Sequence, residues 1–573
     1  MREKMMLGWE IRDSTAEIAA TRIAKGPDAS LPTDNRKLVN RTRGTQPDVV
    51  EVLMSNRIDY FGPELSHGRI MPVRLVTQRM ATTCREGLSG YVVEALETCQ
   101  IFDKEAGSLK RNGLYFRADV RATHYYPSAI GCTYSTTNMA TTTETIVPLS
   151  PVDMMRAMAA KYSTDFPIHI GETVIHGSTA SRLGRDVVLV TGTTGSLGCH
   201  LLETLVSAQD VGRIYALNRA AKDNMPLRER QALGLIERGI DTRILDSSKV
   251  VLLEGDLTKP DWGLLTETFL EVHHSVTHII HNAWRVDMNA KLPGFEPVIR
   301  GLRSLIDFAL TSPLPSPPRL MFTSSMVIML NGPRDRLVPE APVPPELALM
   351  SGYSQSKWVA EQILQNAGAR TALDPLVCRV GQVSGGPSGD WAPNEWYPIM
   401  VQSATQVGCF PEDPRPVNII PFDIAAAAIA DFRKASNANH TVHLIHPRPV
   451  PWDSIASVIA SELDVPLVPY EEWLGRVEAA ARSLPQLTPT ERKARMRALR
   501  AILLIPYFRS LQRTTTSSYS ALNWPDPDVA LAKQASPTLD DPNLRQLGPE
   551  DVRKWLAYWR KVGLLPSDRQ ARL

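Results

Sequence analysis

The chain has 573 residues, 43% of them hydrophobic and 22% charged, which is more than one ordinary core accommodates, so two or three domains are expected. With 63 Lys and Arg against 61 Asp and Glu the net charge is only +2, which argues against nucleic acid or an anionic membrane surface as partner and points to recognition in a local pocket. No run of about 18 apolar residues occurs, the N-terminus MREKMMLGWEIRDS lacks the apolar segment and cleavage site of a secretory signal, and the six cysteines form no CxxC pair and no metal-ligand pattern; a cytoplasmic protein with reduced thiols and no metal is expected.

Residues 1–150 carry Thr/Ser-rich stretches such as TYSTTNMATTTET and short apolar runs such as VVEVLM, and no fold is assigned to them. From Pro151 the run SPVDMMRAMAAKYSTDFP has helical apolar spacing, so residues 151–185 read as a helical lead-in. Over residues 186–435, short apolar runs (VVLV, RIYAL, KVVLL, THIIH, RLMFTSS, PLVCRV) alternate with helical stretches. That rhythm specifies an α/β fold, a Rossmann-type doubly wound parallel sheet, and the continuous apolar strands imply burial on both faces. Residues 436–573 turn mainly helical (WDSIASVIASEL, YEEWLGRVEAAARSL, GPEDVRKWLAYWRKVG) and read as a smaller substrate-binding lobe; the basic run TERKARMRALR reads as a solvated helix face.

VVLVTGTTGSLGCHLLETL sets Gly192, Gly195 and Gly198 at the turn between a buried strand and an amphipathic helix. Glycine suits all three places: the turn is tight, the backbone must approach a pyrophosphate, and the helix must pack close to the strand with its N-terminal amides facing the charge. Thr194, Ser196 and Leu197 fill the turn and are expected to contact the cofactor with them. The second strand, RIYALNRA, ends at Asn218 and Arg219, where an acidic residue would select NAD and an arginine accommodates a 2′-phosphate, so NADPH is the expected cofactor. Arg228 is a candidate helper, with a solvated helix charge as its alternative. VVLLEGDLT places Asp256 and Leu257 at the next strand end, near the adenine, with turn capping the alternative role of the carboxylate. Asn282, Ala283 and Trp284 follow at the end of THIIHNAW as further cofactor contacts.

A fifth strand, RLMFTSSMVI, precedes GYSQSKWVAEQIL, in which Tyr353 and Lys357 share a helix face. A free tyrosine, with a pKa of about 10, is a poor acid at neutral pH; a neighbouring ammonium is expected to bring it down into working range. Tyr353 would then protonate the carbonyl oxygen as hydride arrives, Ser325 would steady that oxygen, and Lys357 would hold the nicotinamide ribose. Strand alternation puts Ser324 and Ser325 on opposite faces, and Ser325 is taken as the catalytic one.

With VVLVTGTTGSLG, LRERQALGLIERGIDTRILDSSKVVLLEGDL, THIIHNAWRVDMN, FTSSMVI, GYSQSKWVAEQIL, CRVGQVSGGPSGDWAPNEWYP and HLIHPRPVPWDSI, the chain from about Pro151 onward resembles the thioester reductase domain of fungal adenylate-forming reductases and related nonribosomal-peptide-synthetase-like enzymes. The resemblance implies reduction of an acyl thioester, on carrier-protein phosphopantetheine or CoA, to an aldehyde or an alcohol, with NADPH as reductant and a carrier protein or adenylating enzyme as partner. It implies that Gly381 and Gln382 line the nicotinamide loop and that Trp284 and Trp396 flank the acyl or pantetheine channel, although both tryptophans equally suit a core. Residues 1–180 contain no carrier signature of the Asp-Ser-Leu kind, so a free-standing reductase is one expectation. The other readings of the same residues are an alcohol dehydrogenase or epimerase of the extended short-chain type and a noncatalytic NADPH-binding scaffold.

Overall fold

The computed structural model describes strand segments between residues 50 and 123 and residues 149–171, 184–435, 440–512 and 520–566. The chain divides into two compact units, residues 1–143 and 144–573. The N-terminal sequence read for a signal, the TYSTTNMATTTET run and Cys132 lie outside the described residues.

In the first unit Val50–Met54, Leu75–Cys84, Gly90–Cys99 and Ala118–Thr123 pair in that order as an antiparallel sheet. Ile101–Asp103 and Ser108–Lys110 form a small hairpin. VVEVLM supplies the first strand; in LVTQRMATTC and GYVVEALETC, Thr, Gln and Glu dilute the apolar period, which is why no fold is legible there.

The second unit opens with α1 (Pro151–Lys161), whose N-cap Ser150 accepts from the Asp153 amide and whose Met155 and Ala159 are buried. This helix is the described helical part of the expected lead-in. Seven strands follow: β1 (Asp186–Thr191), β2 (Val211–Asn218), β3 (Val250–Glu254), β4 (His278–His281), β5 (Arg319–Ser325), β6 (Pro375–Val380) and β7 (Thr441–Leu444). All pair in parallel, in the order β3-β2-β1-β4-β5-β6-β7. The doubly wound Rossmann sheet expected from the sequence is therefore present, with its topological switch between β1 and β4. Thr441–Leu444 lies beyond residue 435, where the apolar rhythm of the sequence ends, because two of its four residues, Thr441 and His443, are polar yet buried.

Strand residues alternate between two cores. Val187, Leu189, Ile279 and Phe322 face one layer, which holds α5 (Glu296–Leu310) and α6 (Gly352–Arg370) when the connecting helices are numbered α2 (Ser196–Ser207), α3 (Leu227–Glu237) and α4 (Thr266–His273) before them. Val188, Val190, Ile280 and Met321 face α2 and the helix Phe422–Phe432. Burial on both faces is what the unbroken apolar strands demand.

The helical lobe has its own core of Trp391, Tyr397, Trp452, Trp473, Trp555 and Trp559. Its residues come from both sides of β7 in sequence, so the chain enters the lobe, returns to complete the sheet, and enters again. In Pro549–Lys561 the residues Val552, Trp555, Leu556 and Trp559 form one apolar face. The basic run forms a helix, Pro489–Ala498, with no buried residue and a Thr488/Glu491 capping box. Among the described residues no helix is long and apolar enough to cross a membrane.

Candidate active site

The glycine turn joins β1 to α2 at the switch point. Gly192 has φ of +77°, and a Cβ there would lie 3.0 Å from Ala283 Cα, so the chain leaving β4 presses against the turn. A Cβ on Gly198 would come within 2.1 Å of Gly192 O; only glycine lets α2 approach so closely. Gly195 is the N-cap of α2, and no side chain caps the helix, which leaves the amides around Ser196 and Leu197 presented at a positive helix end. Ala283 N donates to Thr191 Oγ1 (3.0 Å) and Asn282 Nδ2 to Gly192 O (3.4 Å).

Several residues expected to contact the cofactor also make bonds within the protein. Asn218 is buried, with Oδ1 accepting from Thr194 N (3.3 Å) and Nδ2 donating to Thr193 Oγ1 (2.7 Å), so it braces the turn. Arg228 pairs with Asp246 and donates to Leu245 O (3.1 Å). Asp256 accepts from Thr258 N (2.9 Å) and Oγ1 (2.7 Å); these bonds hold its carboxyl below the usual range, with Lys259 and Arg219 adding to the effect. Leu257 packs against Gly301 of α5. Arg219 is exposed at the end of β2.

Three residues not singled out from the sequence hold this end of the site. Gln231 donates from Nε2 to Thr193 O (2.9 Å) and accepts from Thr193 Oγ1 (2.7 Å). Arg230 donates to the Arg219 backbone O (2.7 Å) and pairs with Glu254 (3.8 Å). Arg238 Nη2 donates to Ser196 Oγ (2.9 Å). All three stand on or just after α3, and their shared direction emerges only once α3 is laid against the turn. An uncapped helix end, a turn closed to a Cβ at Gly192 and Gly198, and Arg219 exposed just past β2 fit a nicotinamide dinucleotide.

At the end of β5 the two serines part. Ser324 is buried and donates to Glu361 of α6, which pairs with Arg379. Ser325 Oγ accepts from Val327 N (3.3 Å) and shares a hydrogen bond with the Tyr353 side chain. Lys357 is buried, donates to Thr323 O (2.6 Å), and holds Nζ 4.5 Å from the Phe322 ring centroid, 4.8 Å from that of Trp284 and 5.8 Å from that of Tyr353. Ser325, Tyr353 and Lys357 are thus brought together. Trp284, whose Nε1 donates to Ser356 Oγ (3.1 Å), packs over the ammonium.

The electrostatics differ from the sequence expectation. Burial pushes the Tyr353 phenol up to about 12, against the lowering effect of the Ser325 hydrogen bond, and Lys357 is not among the groups that shift it. Lys357 is itself lowered to about 7, because burial outweighs the attraction of Glu361. Desolvation sets the direction, and Tyr353 keeps its proton at neutral pH. Beyond β6, Gly381 N donates to Leu444 O (2.9 Å), and a Cβ there would meet Ile445 at 2.5 Å.

Residues 190–429 match a family of NAD-binding domains described as male sterility protein. The chain is 42% identical over 416 residues to adenylate-forming reductase Nps10 of Heterobasidion annosum, covering 72% of this chain and 37% of that one. Adenylate-forming reductase Nps9 of Serpula lacrymans is 34% identical, with 68% and 36% covered. The chain therefore spans about a third of the length of these curated relatives. In fold it is similar to the terminal R domain of the myxalamid PKS-NRPS pathway (22% identity, TM-score 0.56, 73% of this chain and 99% of that chain). It is also similar to the reductase domain of a nonribosomal peptide synthetase from Mycobacterium tuberculosis (23% identity, TM-score 0.52, 71% and 96%). By this sheet, this glycine turn and these matches, the chain is similar to adenylate-forming reductases, and its residues 190–429 match the NAD-binding domain family described as male sterility protein.

Proposed function

We propose that the protein reduces an acyl thioester, held on the phosphopantetheine of a carrier protein or on CoA, to an aldehyde or an alcohol, in fungal secondary metabolism and with NADPH as reductant. The observation that carries the reading is the meeting of Ser325, Tyr353 and Lys357 at the end of β5, in a chain 42% identical to an adenylate-forming reductase. An adenylating enzyme would supply the thioester.

Gly192, Gly195 and Gly198 with the first turn of α2 would hold the pyrophosphate, Arg219 the 2′-phosphate, and Lys357 the nicotinamide ribose. When bound, the reduced nicotinamide supplies hydride. Tyr353, neutral at pH 7, hands its proton to the oxygen that becomes negative, and Ser325 donates a hydrogen bond to the same oxygen. The hemithioacetal so formed expels the thiol and leaves the aldehyde.

Incubation with NADPH and an acyl-pantetheine thioester should yield aldehyde and oxidised cofactor. Tyr353→Phe should lower kcat by about 10²- to 10⁴-fold, and Arg219→Asp should weaken NADPH far more than NADH. Turnover of free ketones alone would replace the thioester reading with that of an alcohol dehydrogenase, and cofactor binding without turnover would leave a scaffold.

A further inference from the structure

Behind Lys357 on α6 lies a buried carboxylate, that of Glu361. It stands one helical turn after Lys357, as Lys357 stands one turn after Tyr353, so the three side chains share a face of α6. Three consecutive residues at the end of β5 take one each. The Thr323 carbonyl accepts from Lys357 Nζ (2.6 Å), the Ser324 hydroxyl donates to Glu361 Oε1, and the Ser325 side chain shares a hydrogen bond with that of Tyr353. Ser324 thus lies between the strand residues that hold the lysine and the tyrosine.

A third element fixes the carboxylate. Arg379 of β6, itself buried, donates from Nη2 to Glu361 Oε2 (2.8 Å) and from Nε to both oxygens (3.2 Å). Ser324 and Arg379 are register partners across β5 and β6, so one carboxylate ties two neighbouring strands to α6. The titratable groups around Lys357 are Tyr353 and Glu361 on its own helix, Cys378 on β6 and His281 on β4. Burial keeps the phenol, the thiol and the imidazole neutral at pH 7, which leaves Glu361 as the charge among them.

Building on the reductase reading, we infer that Glu361 is a positioning residue of this site: it grips Ser324, which fixes the end of β5 against α6 and so the meeting of Ser325 with Tyr353, and it sets its negative charge beside the Lys357 ammonium. As an ammonium Lys357 has three donors, one given to Thr323 O and two left for the ribose hydroxyls. Burial draws its pKa down to about 7 against the attraction of Glu361, so loss of that attraction lowers it further and leaves a neutral amine at pH 7.

The test follows NADPH affinity, titrated by cofactor fluorescence, and kcat/KM for an acyl-pantetheine thioester from about pH 5 to about pH 9. In the wild type both should fall as pH rises through about 7, where Lys357 loses its proton. In Glu361→Leu/Arg379→Met, which strands no charge, the fall should move toward acid by about one unit. A fall left at the wild-type pH overturns the inference whatever the loss of rate, because a merely structural carboxylate would not move it. Ser324→Ala removes one hydroxyl and keeps the carboxylate; kcat should drop on the order of 10-fold. Wild-type kcat in Ser324→Ala also overturns the inference, and this variant decides alone if the double variant does not fold. If the wild type reduces a free ketone and no thioester, the thioester reading has failed, and the same comparisons run on the ketone still test Glu361. If it binds NADPH and reduces neither, the reductase reading has failed and takes this inference with it.

Discussion

His281 closes β4, fully buried, with Nδ1 2.9 Å from Thr191 Oγ1 and its ring stacked 5.7 Å from Phe322. Burial, aided by the charge of Lys357, lowers its pKa to about 3. The unfolded chain takes up a proton near pH 6.5 that the folded protein refuses until about pH 3. Stability is therefore complete above pH 6.5 and is lost as pH falls toward 3, by roughly 4–5 kcal/mol from this group alone. His281→Phe keeps a ring against Phe322 and cannot titrate. Urea-unfolding midpoints measured from pH 7 to pH 4 should fall less steeply in the variant than in the wild type, and parallel curves would refute the assignment. At this scale the meeting of Ser325, Tyr353 and Lys357, the proposed catalytic group, was legible because such chemistry demands particular side chains at particular spacings. The direction of their pKa shifts was not, since desolvation depends on what the fold packs around them. The bonds of Asn218 to Thr193 and Thr194 and the pairing of Arg228 with Asp246 were not legible either, because those partners become neighbours only in the fold.

The β1–turn–α2 element separates two reasons for glycine. At Gly198 a Cβ would strike Gly192 O at 2.1 Å and Thr193 Cα at 2.8 Å, both backbone atoms that cannot swing away. At Gly195 the nearest atom to an added Cβ is Gly192 O at 3.5 Å, an ordinary contact, and the φ of −81° suits any residue. Gly198→Ala should therefore cost about 1–3 kcal/mol of stability through overpacking, whereas Gly195→Ala should fold with nearly unchanged Tm. Both should lose cofactor affinity, Gly195→Ala because the added methyl occupies the path of the pyrophosphate. Thermal melts paired with NADPH titration separate the two, and equal destabilisation would contradict the geometry. The turn was readable because a buried strand precedes it and an amphipathic helix follows. β7 was not, because TVHL hides its apolar character: Thr441 and His443 are buried at the cost of hydrogen bonds that other segments must provide.

At the scale of the molecule, those hydrogen bonds belong to a buried polar chain that ties the sheet to distant segments. Glu361 of α6 accepts from Ser324 of β5 and from Arg379 of β6 at 2.8 Å, with both charged side chains essentially inaccessible to water. Arg379 donates to His443 Nε2 of β7 (3.2 Å), and His443 Nδ1 donates to Asp528 O (2.8 Å), a neutral tautomer consistent with a pKa that burial and Arg379 lower to about 3. The His443 amide in turn donates to Glu340, which also accepts from Ala532 N (3.0 Å), so residues 340, 443 and 532 meet at one carboxyl group. Burying two charges is no bargain by itself; what the arrangement makes expensive is removing one partner. Arg379→Met should strand Glu361 and cost about 3–5 kcal/mol. Adding Glu361→Leu removes the stranded charge, so the double variant should be more stable than the single one despite carrying two substitutions. Chemical denaturation of the four proteins in the cycle gives the coupling energy directly. Additive losses would mean that the pair is held in place by the surrounding fold without helping to hold it, and that β6, β7 and α6 dock by their apolar faces alone.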